Sequence, residues 1–111
     1  MAYDTDLADR LRVELQQVGG VTEKKMFGGL AFHVGGNMAV PASGQGGLLV
    51  RCDPADTDRQ VTGDGVTRME LRGREMDGWL RVAAGAASTD AAVQRWVDIG
   101  VGYAAGLPPK R

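Results

Sequence analysis

Only one cysteine, Cys52, and one histidine, His33, occur among the 111 residues. A lone cysteine excludes an intramolecular disulfide and a cysteine-based metal cluster. It leaves a reducing cytoplasm as the expected compartment. A single histidine restricts any Ser-His-Asp or Cys-His arrangement to His33, and no nucleophile-elbow sequence accompanies it. His33 is therefore read as a sheet-surface residue. Cys52 alternates with Val50 onto an apolar strand face, which points to a buried, inert thiol. A reactive thiolate needs a neighbouring cation, and Arg51 is the only adjacent one. A metal site needs three or four converging ligands, and no spacing supplies them. Charge of either sign is not in excess: 13 Lys and Arg stand against 14 Asp and Glu, a net charge of -1. That balance removes the strong electrostatic footprint of an autonomous DNA binder and leaves room for a local basic patch. No apolar run approaches the roughly 20 residues that a membrane span needs. The acidic, polar start MAYDTDLADR lacks the basic and apolar regions of a signal peptide. The expectation is a non-enzymatic domain with no cofactor.

Glycine is what the chain has in abundance, 17 residues in all. The segments GGLAFHVGGN and SGQGG match neither the dinucleotide fingerprint nor the Walker pattern. They precede strands, so no helix N-terminus would meet a phosphate. With 43% hydrophobic and 24% charged residues, the composition is that of one globular domain over residues 1–111.

Periodicity gives the elements. Leu7, Leu11, Leu15 and Val18 share a helical face, which predicts a helix over Asp4 to Val18, capped by Asp4 or Thr5 and ended by Gly19-Gly20. For EKKMFGGLAFHV, a hairpin turn at Gly28-Gly29 would put Lys25 opposite Phe32. A strand running through the glycines instead aligns Met26, Leu30, Phe32 and Val34 without a charge. Period-two logic therefore predicts one long bent strand. A three-residue loop at Gly35-Gly36-Asn37 leads to a returning strand, Met38 to Ala42, which Pro41 places at a sheet edge. Leu48 to Cys52 is a third strand. Pro54 to Thr62 is a short helix opened by Asp53. Two more strands follow, Thr67 to Leu71 and Gly78 to Ala83, joined through RGREMD. The final helix is capped by Ser88 or Thr89 and carries the stripe Val93, Trp96, Val97, Gly100, Val101 and Ala104. Its glycines weaken it and permit close packing on the sheet. The order α-β-β-β-α-β-β-α is α+β, a mostly antiparallel five-stranded sheet packed with N- and C-terminal helices.

Lys24, Lys25, Arg51, Arg68, Arg72, Arg74 and Arg81 fall in or beside strands. Several on one sheet face would make a patch for an acidic protein surface or nucleic acid. The competing expectation is a solvated face neutralised by Glu23, Glu70, Glu75 and Asp77. Trp96 belongs to the core stripe, and Trp79 alternates with Arg81 as a semi-core residue or binding anchor.

In order, VTEKKMFGGLAF, GGNM, LLVR, GREMDGWLRV and RWVDIGVGYAAGLPPK resemble the N-terminal domain family of the TfoX/Sxy bacterial competence regulators. KKMFGG and MDGW are the distinctive pieces. The resemblance implies an α+β fold similar to secretion-chaperone-like domains. It also implies transcriptional regulation of DNA-uptake genes, exerted with the cyclic-AMP receptor protein. Full-length regulators carry a second, helical domain. This sequence stops at LPPKR and is expected to be a stand-alone member. No catalytic residues carry over. The expected function is protein–protein interaction in the cytoplasm through a surface of Lys24, Lys25, Phe27, Gly28, Gly29, Arg51, Trp79 and Arg81. Direct nucleic-acid binding and an uncharacterised ligand-binding role stay open as alternatives. A homodimer through the edge near Pro41 is admitted by edge logic alone.

Overall fold

The structure is a computed structural model that describes residues 3–26, 28–61 and 63–108. Helix α1 covers Thr5–Leu15, with the Asp4 side chain accepting the Leu7 backbone N–H at 3.1 Å. It ends one turn earlier than the apolar spacing predicts, and Val18 packs against the core from the following turn.

The predicted long strand is instead a hairpin. Strand β1 (Val21–Met26) and strand β2 (Gly29–Val34) pair antiparallel, with Met26 opposite Gly29, Lys25 opposite Leu30 and Glu23 opposite Phe32. The turn joins them through Gly28, which takes a left-handed φ of 79°. The parity argument rejected a charge beside the large apolar residues. It fails because β1 is an edge strand, so its core-side positions lie at the rim, where Glu23 and Lys25 are both exposed. Glu23 also has a partner there. The Arg12 guanidinium donates to its carboxylate at 2.9 and 2.8 Å and holds that carboxyl below its ordinary range.

The next turn is tighter than expected. Gly35 and Gly36, with φ of 59° and 83°, close a two-residue loop that puts Val34 opposite Asn37 and His33 opposite Met38. Two consecutive positive φ angles suit the twist of a hairpin and need no third residue. Strand β3 is Asn37–Met38. Beyond it the chain stays extended through Ala42, hydrogen-bonded on both sides. Leu30 and Ala42 exchange backbone bonds at 3.0 and 2.8 Å, while Leu49 and Arg51 donate to Pro41 and Ala39. Pro41 is therefore buried between strands and marks no edge, which removes the basis for a dimer there.

Strand β4 (Leu48–Arg51) is followed by a 3-10 turn (Pro54–Asp56), capped by Asp53, and helix α2 (Thr57–Gln60). Strands β5 (Val66–Leu71) and β6 (Arg74–Val82) form a hairpin around Arg72-Gly73. Most of RGREMD is thus strand; its polarity reflects a hairpin tip exposed on both sides. Among the described residues the strands form two three-stranded antiparallel sheets, β1-β2-β3 and β4-β6-β5, and not a single five-stranded one. The bridges Leu30–Ala42 and Ala42–Leu48 link them.

Helix α3 (Asp90–Ala105) is capped by Thr89, whose hydroxyl accepts from Ala92 N–H at 3.1 Å. Val93, Trp96, Val97, Gly100 and Ala104 are buried, as the stripe predicts. Gly100 meets the sheet directly: a Cβ there would lie 2.7 Å from the Ala39 carbonyl oxygen. Helices α1 and α3 cover one side of the sheets, over a core that includes Leu11, Phe32, Val50 and Leu80. The other side of the sheets is open.

Candidate functional site

Strand registers decide which side chains reach the open side. Partners directly opposite in an antiparallel pair point the same way. Val50–Leu80, Leu48–Val82 and Val66–Val82 point to the helices and are buried. Their neighbours Leu49–Arg81, Arg51–Trp79 and Thr67–Arg81 therefore point away. On β1 and β2 the same alternation puts Lys24, Ala31 and His33 on the open side.

A cleft of about 980 Å³ lies on that side, between the two hairpins. All four methionines among the described residues line it, Met26, Met38, Met69 and Met76, together with Leu49 and Trp79. Each of the six is half-buried. Leu71, 51% exposed, sits at the β5–β6 end. Unbranched, polarizable methionine side chains adapt to partners of different shape.

The cations divide by register. Lys24, Arg51, Arg74 and Arg81 share one strand parity, with no Asp or Glu at its paired positions; of the four, Arg81 lines the cleft. Two of the acids expected to neutralise such a patch, Glu70 and Glu75, line the cleft. Glu23 pairs with Phe32 on the helix side, and Glu70 sits opposite Glu75 on that same parity, both bordering the cleft at its hairpin end. Asp77 lies in a bulge and accepts from Arg68, which also binds Asp58.

Arg51 contacts two rings. Its guanidinium carbon lies 5.5 Å from the Trp79 ring centre and 5.6 Å from that of Tyr103 on α3. Among the described residues no carboxylate pairs with it. Arg81 is engaged by neutral groups, the Ser43 hydroxyl at 3.2 Å and the Gly46 carbonyl at 3.3 Å, so its charge is not cancelled.

The residues singled out from the sequence therefore separate. Trp79 and Arg81 line the cleft, Arg51 contacts the Trp79 and Tyr103 rings, and Lys24 lies apart on β1. Lys25 turns to the helix-side rim, opposite Leu30. Phe27 lies outside the described residues. Gly28 shapes the turn, and Gly29 is buried against the Ala42 carbonyl, so this glycine pair builds the hairpin and the junction between sheets. The glycine of MDGW is also structural. Gly78 takes φ 85° in the β6 bulge, its N–H donates to the buried Thr57 hydroxyl at 2.7 Å, and its carbonyl accepts from Cys52 N–H at 2.9 Å. Cys52 is buried, and burial pushes its thiol pKa up, with the Thr57 hydroxyl opposing. His33 is half-buried on the open side of β2. No group of three His, Cys, Asp or Glu side chains among the described residues is placed to hold a metal ion. None of the described helices is long and apolar enough to cross a membrane.

Met38, Leu49, Met69 and Met76 were not foreseen as site residues. Their signal is parity: each takes the outward position of its strand, which is visible only once the registers are known.

No curated protein and no solved structure matches the chain. The model of the TfoX N-terminal domain matches residues 14–104, a span that runs from the last turn of α1 to the last turn of α3 and takes in both hairpins and the whole open face. The chain belongs to the TfoX N-terminal domain family.

Proposed function

We propose that this is a non-catalytic, cytoplasmic regulatory domain of the competence-regulator type that acts by docking a segment of another protein on its open sheet face. One observation carries the reading: a methionine- and tryptophan-lined cleft on the side of the sheets that the helices leave uncovered. Adaptable apolar side chains around a half-buried aromatic are the usual makings of a protein-docking surface. Family membership supports a regulatory role.

The test is selection of a random phage-displayed peptide library on the immobilised domain and on its Leu49→Glu variant. Leu49 is half-buried in the cleft, so a carboxylate there opposes apolar docking while leaving the core intact. The expected result is a set of peptides that bind the native domain and lose the variant. The two proteins should unfold within about 1 kcal/mol of each other. A selection that yields no peptide dependent on Leu49 removes the docking face.

A further inference from the structure

We infer that β5 is a pairing edge: two copies of this chain join antiparallel along it, about a twofold axis at Met69, with both open faces on the same side. This goes beyond the docking reading and does not depend on it. Among the described residues the linked sheets end at two outer strands, β1 and β5. Each offers a row of unpaired backbone groups, and such rows recruit further strands unless something blocks them. On β1 the block is charge. Glu23, Lys24 and Lys25 are all exposed there, and edge lysines oppose strand addition. The β5 edge, Val66–Leu71, has no lysine and no proline, and sets Met69 between Arg68 and Glu70.

Hydrogen-bond parity shows which groups are free. Ala83 N–H donates to the Gly65 carbonyl at 2.8 Å, so the odd-numbered residues of β5 turn their backbone groups to β6. The two-residue turn at Arg72-Gly73 closes on Leu71 and Arg74 and gives the same parity from the other end. Val66, Arg68 and Glu70 therefore turn theirs outward. Gly63 N–H donates to the Val66 carbonyl at 3.4 Å, which closes that end and leaves Arg68 and Glu70.

Antiparallel pairing about Met69 sets Arg68 opposite Glu70 of the second copy, twice over by symmetry. Both residues present outward backbone groups, so each such pair exchanges two hydrogen bonds. An axis at Arg68 or at Glu70 would instead set like charges together. The side chains suit the Met69 axis. Glu70 lies directly opposite Glu75 on its own hairpin, an unfavourable like-charge pair. Among the described residues neither carboxylate has an ion pair. Arg68 donates from Nε to Asp77 and from Nη2 to Asp58, and nothing among the described residues accepts from its Nη1. That nitrogen is the donor left for an incoming carboxylate. On the open side Leu71, 51% exposed, meets Thr67 of the second copy. Opposed residues point the same way, so the two clefts adjoin at Met69, which lines each.

Sedimentation equilibrium of the purified chain up to about 1 mM tests the inference. The expected result is a monomer–dimer equilibrium. Glu70→Arg opposes two arginines across the axis and relieves the clash with Glu75, so the fold should stand while dimerisation weakens about tenfold or more. Arg68→Glu should weaken it likewise. Mixing these two variants pairs opposite charges at both positions and should restore dimerisation between them. Met69→Lys, which sets two ammonium groups at the axis, is the second disruptive variant should Arg68→Glu not fold. A chain that stays monomeric throughout overturns the inference. So does a dimer that Glu70→Arg and Met69→Lys both leave intact, since its contact lies on another surface.

Discussion

Replacing Gly29 by alanine is expected to separate the two sheets. The added Cβ would lie 2.4 Å from the Ala42 carbonyl oxygen and 3.1 Å from the Gly44 nitrogen. Both are backbone atoms, so no flexible side chain can yield. Relief requires the β1–β2 hairpin to move away from residues 42–44, where the Leu30–Ala42 bonds of 3.0 and 2.8 Å link the sheets. Overpacking costs about 1–3 kcal/mol. Weakening two backbone bonds adds about 1 kcal/mol each at the central value. The sum, about 3–5 kcal/mol, is a large part of the roughly 5–15 kcal/mol that holds a typical domain together. For a domain of this size that is a fall in Tm of about 10–20 °C or more. Urea denaturation followed by circular dichroism measures it, with Gly19→Ala as control. Gly19 has nothing within 4 Å of an added Cβ and no positive φ, so its change should stay within about 0.5 kcal/mol. If Gly29→Ala costs less than about 1 kcal/mol, the close approach is not a constraint and the junction is wrongly described.

Two further predictions concern the Cys52–Thr57–Gly78 junction. Thr57→Val keeps the shape but leaves the Gly78 N–H and the Pro54 carbonyl without the hydroxyl that serves both. A loss of about 1–3 kcal/mol with an unchanged urea m-value is expected, and a loss below about 0.5 kcal/mol would show that the hydroxyl is dispensable. The Cys52 thiol is raised by burial. The unfolded thiol ionises near about pH 8.5 while the folded one stays protonated, so between the two pKa values the unfolded state holds fewer protons. Stability is therefore complete below the unfolded pKa and falls as pH rises through the folded value. Cys52→Ala should remove that alkaline component of the stability curve, and an identical slope in both proteins would exclude the thiol as its source.

The two long helices were legible because their apolar positions repeat where one face meets a core and the other meets water. Val93, Trp96, Val97, Gly100 and Ala104 needed no knowledge of their neighbours. The hairpins were not, because pairing is a relation between strands. Lys25 beside Leu30 looks forbidden until β1 is known to be an edge. REMD reads as a connection until its exposure on a hairpin tip is seen. The same gap hid the site. Trp79 and Arg81 could be named, but the methionines that line the cleft with them follow from register alone. KKMFGG and MDGW drew attention as motifs, and their glycines turned out to be joints of the fold.

The bulge at Gly78 has a mechanical consequence. Up to Trp79, β6 is clamped by β4 on one side and, as far as Leu80, by β5 on the other. Past the bulge the hairpin continues from Met69–Met76 to Leu71–Arg74 with only its own two strands for support. That arm is a cantilever rooted in the core, and it carries two of the four methionines of the cleft. Displacing its tip disturbs none of the fully buried side chains. One jaw of the cleft can thus be reset at low free-energy cost while the other stays fixed to the sheet junction, giving an aperture that adjusts to the guest without loosening the host.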